Sequence, residues 1–321
     1  MRRAIRFVLL ALALALAATA LAAPASPTSS TAYKAPLATK APMLALARAG
    51  SRLVAVGDYG IVLLSDDDGR TWRQAASVAT REMLTAVTFV DGKRGFAVGH
   101  GGTLLTTIDA GENWTSSYAA GADTVLLSVW FGSTDRGLAI GAFGVALSTD
   151  DGGRTWKPLA VGEGDDGDRH LNAVFALPDG TLLIAAEAGT VFRSADGGRS
   201  WSAVRLPYNG SLWGGLALRD GSALVFGMRG HVLRSDDQGR TWTDVPTGTD
   251  ESFSGGVQLA DGRIVLVGLG GAVATSGDGG KNFKTTIRPE RQTFAAVAAG
   301  ARGQLVVGGL TGVGAHDLAA Q

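Results

Sequence analysis

Along this chain, short runs of alternating apolar and polar residues are broken at regular intervals by glycine-rich turns. The stretch from His170 onward shows the pattern: HLNAVFAL, TLLIAAEAG, TVFRSADGG and RSWSAVRL follow one another, separated by DG, AG and DGG. A period near two with these turn signals predicts four short antiparallel strands. The next stretch repeats it as SLWGGLAL, SALVFGMRG, HVLRSDDQG and RTWTDV. Units of four strands in about 41 residues have the length of a propeller blade.

Two markers recur in step. A box of the type S-x-D-x-G-x-T-W closes at Trp72, Trp114, Trp156, Trp201, Trp242 and Phe283, with spacings of 42, 42, 45, 41 and 41 residues. A glycine turn ends at Gly60, Gly102, Gly144, Gly189, Gly230, Gly271 and Gly312. Seven turns against six boxes predict an all-β, seven-bladed β-propeller of four-stranded blades whose last blade lacks one strand. The expected donor is the N-terminal segment TAYKAPLAT at residues 31–39, which resembles TWKPLAV at residues 155–161 and would close the last blade. In the box, the Asp is expected to accept backbone N–H bonds and the glycine to take a positive φ. Calcium binding at Asp66–Asp67–Asp68 is disfavoured, because the later bidentate Glu of a calcium loop is missing.

The N-terminus changes the picture of compartment. Arg2, Arg3 and Arg6 precede an Ala- and Leu-rich run to Ala23 with small residues at Ala20–Ala25, the pattern of a signal peptide. We expect residues 1–25 to be the signal, residues 26–321 to form the propeller, and the mature chain to be periplasmic without inserting into the membrane. Cysteine is absent, so disulfides and lipid attachment at a lipobox are excluded. The full chain balances 29 basic against 29 acidic residues, and removing the leader leaves a charge near −3. That balance offers no general attraction to nucleic acid.

Strand direction sorts the candidate chemistry. The glycine turns share one face with the linkers between blades, and the Asp-containing boxes occupy the other. The linker face therefore collects Tyr59, His100, Phe143, Glu187 and Arg229 from the turns, and Arg81, Arg288 and Arg291 from the linkers. These eight are the expected partner-binding residues, with the arginines as directional donors to carboxylates or a partner's backbone. Four histidines in no ligand spacing give no metal site, and no cofactor motif is present. The longest linker, residues 161–170, is acidic and is expected to be mobile. Trp130 and Trp213 lie in first strands, outside the box series, and are expected to fill the channel or wedge blades together.

The boxes and paired glycine turns resemble the Asp-box repeats of bacterial neuraminidases and are similar to the photosystem II stability and assembly factor family, over about residues 34–318. That resemblance implies a noncatalytic exported propeller that assists a membrane protein or membrane-complex subunit at its periplasmic face. Nonphotosynthetic members are associated with transporters of the resistance-nodulation-division type, and the family uses an arginine-rich patch for contact. The alternative is a secreted carbohydrate-active hydrolase of sialidase type, or a glycan-binding module. A sialidase needs an arginine triad and a Tyr nucleophile; only Tyr33, Tyr59, Tyr118 and Tyr208 exist, and the FRIP-like motif is missing. No catalytic residue is assigned.

Overall fold

The structure, a computed structural model, describes residues 30–316; the leader, residues 1–25, lies outside them. Seven sheets follow one another in chain order, each built on an antiparallel meander, so the chain is a seven-bladed β-propeller on a four-stranded blade plan; in blade 2 the linker pair Ser77–Val78 adds a fifth strand, parallel to the outermost one. Blade 1 consists of Met43–Ala49, Arg52–Gly57, Val62–Ser65 and Arg73–Gln74, running outward from the axis. Blades 2 to 6 repeat that order, within residues 84–119, 126–158, 171–205, 212–245 and 253–287. The second strand of each blade is buried, apart from Arg52 at the start of the one in blade 1, because it is sandwiched between neighbouring sheets.

Every innermost strand carries a β-bulge after its first residue, from Met43/Ala45 to Phe294/Ala296. A bulge bends the strand and raises its twist. In three blades the bulge residue is polar and bonds to the next blade: Thr85 Oγ1 donates to Leu126 O at 2.6 Å, Asn172 Nδ2 to Leu212 O at 2.8 Å and Ser254 Oγ to Phe294 O at 2.6 Å. Trp213 occupies that position in blade 5 and is half-buried there.

The boxes are closed hydrogen-bonded units. Asp67 accepts from the backbone N–H of Arg70 and Thr71 and from the hydroxyls of Ser65 and Thr71, at 2.6–3.1 Å. Ser65 Oγ accepts from Gly69 N, and the Trp72 indole N–H donates to Gly69 O. Led by the Thr71 hydroxyl, these bonds hold the Asp67 carboxyl down to about 2. Asp66 and Asp68 face Arg52 and Arg48, so the three aspartates do not converge on a cation.

Arginines stitch one blade to the next on this face. Arg52, Arg136, Arg193 and Arg234 each donate to the carbonyl of the fourth box residue in the following blade, namely Ala110, Gly197, Gln238 and Gly279. These carbonyls lie at turn tips with positive φ, where they point away from their own sheet.

The seventh blade departs from the expected closure. Among the described residues its sheet has three strands, Phe294–Ala299, Leu305–Gly309 and Gly312–His316. The segment at residues 31–39 does not join it. Ala32 N donates to Val78 O, Lys34 Nζ reaches Ala75 O, and Ala35 N donates to Gln74 Oε1, so its donors are used on the outermost strand of blade 1 and the linker beyond it. Pro36, which has no N–H, and a turn of 3-10 helix at Ala38–Lys40 then divert the chain past Gly312. Face packing closes the ring instead: Met43 is fully buried against Gly308, Gly69 rests on Val306, and Arg48 donates to Ala299 O at 2.6 Å.

Candidate functional site

The linker face is built by the glycine turns tucked beneath the linkers. A Cβ on the first turn residue would meet the carbonyl preceding the inner strand, 2.0 Å from Pro42 O at Gly57 and 2.0 Å from Met83 O at Gly99. The fourth turn residue lies under the following linker, and at Gly144 and Gly189 a Cβ would come within 1.6 Å of Gly167 O and Tyr208 O. In blades 1 to 6 the third residue of the turn so pinned takes a left-handed conformation and projects outward, whereas Thr311 of blade 7 does not take it. Two blades place glycine there, Gly101 and Gly270, while Tyr59 (φ 55°), Phe143 (φ 53°), Ala188 (φ 50°) and Arg229 (φ 54°) occupy it elsewhere. Such a conformation costs about 1 kcal/mol or more for a residue with a Cβ. Tyr59 is 66% exposed and Phe143 73% exposed.

The eight expected contact residues all map to this face, but they do not act alike. Tyr59, Phe143 and Arg229 stand out from it. Phe143 has the His170 ring edge-on at 4.6 Å. His100 is half-buried, with its backbone N–H on Met83 O. Glu187 is committed to holding the fold, since its carboxylate accepts from His170 N at 3.0 Å. Arg81 lies 3.7 Å over the Tyr33 ring and donates to Thr31 O, which clamps the N-terminal segment. Arg288 and Arg291 diverge despite their closeness in sequence. Arg288 approaches His316 of blade 7, whereas Arg291 pairs with Glu251 at 2.5 Å across the neighbouring linker.

The acidic linker also differs from expectation. Asp166 accepts from Arg205 and Arg169 at 2.6 Å, and Arg205 foremost, against the effect of burial, holds its carboxyl below the ordinary range. With a 3-10 turn at Gly164–Asp166, this loop is ordered against blade 4. Its charge count suggested mobility because the neutralising Arg205 lies 39 residues away.

Beside Arg229 is a group that turn positions alone do not reveal. Tyr208 stacks on His231 with ring centres 3.9 Å apart and donates to Met228 O, while His231 Nδ1 is 3.2 Å from Asp244. Burial pushes the Tyr208 hydroxyl up, and the Arg229 charge opposes it. His231 follows Gly230 directly, so its place at the face end of a strand was the available sequence signal. Among the described residues no cluster of three His, Asp or Glu could hold a metal ion. Several carboxylates of the face are used within the fold: Asp58 accepts from Tyr59 N at 2.8 Å, and Glu187 and Glu251 are engaged as above.

Comparison with known proteins bears on this architecture. No curated protein matches the chain. Among solved structures it is similar to YCF48 bound to a D1 peptide, at 18% identity and TM-score 0.67, covering 88% of this chain and 94% of that one. It is similar also to YCF48 from Cyanidioschyzon merolae, at 17% identity and TM-score 0.67, covering 87% and 95%. Streptogramin B lyase shares the fold at 11% identity and TM-score 0.72, covering 86% and 93%. The family described as photosynthesis system II assembly factor YCF48 matches residues 74–204 and 109–267. Those matches span well over half of the sequence, and the chain belongs to the photosynthesis system II assembly factor YCF48 family.

Proposed function

We propose that this protein is a noncatalytic assembly factor that holds a segment of a membrane-protein subunit against its linker face. One observation carries the reading: Tyr59, Phe143 and Arg229 are exposed in a backbone conformation that glycine would adopt without strain. Strain retained at outward-facing side chains, where the fold needs only a turn, is the mark of a contact surface. The family relative bound to a D1 peptide supports a protein segment as the ligand. The engagement of Asp58, Asp166, Glu187 and Glu251 within the fold supports a role in positioning over one in hydrolysis. The proposed setting is the periplasm, which follows from the signal-like leader, with a transporter of the resistance-nodulation-division type as the partner to test first.

The test is a crosslinked pulldown of the mature protein from its own cell envelope, read by mass spectrometry. Wild type is compared with a variant carrying Tyr59→Ser, Phe143→Ser and Arg229→Glu, and with Arg70→Glu on the box face. One membrane protein recovered with wild type and Arg70→Glu, and lost with the triple variant, is the expected result. Equal recovery with the triple variant, or loss confined to Arg70→Glu, overturns the assignment.

A further inference from the structure

A cleft of about 660 Å³ opens on the box face between blades 3 and 4, away from the proposed partner surface. At the seam between blades 2 and 3, Phe96 and Phe131 stack with ring centres 3.5 Å apart and fill the space. The equivalent pair one seam later is Leu138 and Ala176, by their matching places in the second and innermost strands. Two aromatic rings are thus replaced by a leucine and a methyl group, a pairing that Leu183 and Ala217 repeat at the following seam.

Trp130 forms a wall of this opening. Its neighbours Val129 and Phe131 face blade 2, so strand alternation turns Trp130 toward blade 4, where it packs beside Leu138 and Leu159. It therefore wedges a seam and does not fill the channel. The indoles of Trp72, Trp114, Trp156, Trp201 and Trp242 each donate to a box glycine carbonyl, but the Trp130 N–H has no protein acceptor among the described residues. The rim is polar and charged. Arg136 lies 3.4 Å from Asp150, and the exposed Arg199 guanidinium has no protein partner among the described residues.

A half-buried indole face beside planar guanidinium and carboxylate groups matches the chemistry of a sugar ring, which offers apolar C–H faces and paired hydroxyls at its edge. We propose that this cleft is a saccharide-binding site, seating a pyranose ring on Trp130 with its hydroxyl or carboxylate groups bonded by Arg136, Asp150 and Arg199. The site is independent of the linker face, so the protein carries two separate binding surfaces.

Isothermal titration of the mature protein with chitotriose, cellotriose and trigalacturonate tests the assignment. The expected result is saturable binding of at least one of them with Kd below about 1 mM. Affinity falls tenfold or more with Trp130→Leu and with Ser148→Phe, which fills the cleft from two strands further out in the same sheet without removing the indole, and is unchanged with Phe143→Ala. A preference for trigalacturonate that disappears with Arg199→Ala assigns the acidic group to that guanidinium. Absence of binding by all three sugars overturns the proposal, as does binding that survives both cleft variants or is lost with Phe143→Ala.

Discussion

Replacing Arg234 with methionine isolates what an arginine stitch contributes to a seam between blades. The side chain is 7% exposed and spans from blade 5 to blade 6, donating to Gly279 O and to Ser222 Oγ, with Asp236 at 2.6 Å and Asp220 at 3.5 Å. Two effects oppose each other. Burying a guanidinium is costly, more so because its Nε has no partner among the described residues, and an apolar side chain of similar length avoids that cost. Against this, each bond to a charged donor contributes roughly 1.5–3 kcal/mol net, and Gly279 O loses its donor. The carboxylates decide little, since Asp236 and Asp220 are 71% and 55% exposed and water replaces the arginine around them. The two bonds outweigh the relieved desolvation, so Arg234→Met should destabilise by about 2 kcal/mol. Arg136→Met, whose side chain is 47% exposed, should cost under about 1 kcal/mol. Urea unfolding followed by fluorescence and circular dichroism measures both, with coincident transitions required before a free energy is taken. Equal midpoints for the two variants, or an Arg234→Met protein as stable as wild type, would falsify the idea that buried stitches hold the seams.

Further outcomes follow from the same geometry. Trp114→Ala removes a side chain that is 1% exposed and edge-on to Phe89, and should cost about 3–5 kcal/mol in urea unfolding, whereas the less buried Trp72 should cost less. Asp67 and Asp151 are held at about 2, while an unfolded aspartate titrates near 3.9. Their contribution is therefore complete above about pH 5 and is lost as pH falls through about 4 toward 2. Melting temperature against pH should fall less steeply over that window in the double variant Asp67→Asn, Asp151→Asn; an unchanged slope speaks against the box as an acid-sensitive element. Tyr59→Gly should leave stability unchanged or raise it by up to about 1 kcal/mol while weakening partner capture, and a clear loss of stability would show that Tyr59 serves the fold.

The sequence by itself determined the number of blades, the strand order and which residues share a face, because these depend on a two-residue period and on turns whose chemistry is local. Asp67 and Gly69 act within a few residues of themselves, and the glycine turns are legible for the same reason. Tertiary structure decided whatever depends on a neighbouring blade. Arg291 pairs with Glu251 and Asp166 with Arg205 across about 40 residues of chain, so neither pairing could be read from local composition. Residues 31–39 have a strand-like pattern, but where their donors go was settled by Gln74, Ala75 and Val78. The cleft at Trp130 is lined from two sheets, by Trp130 and Leu138 of one blade and by Gly197, Gly198 and Arg199 of the next. Periodicity shows which way a side chain points, but only packing shows what it meets there.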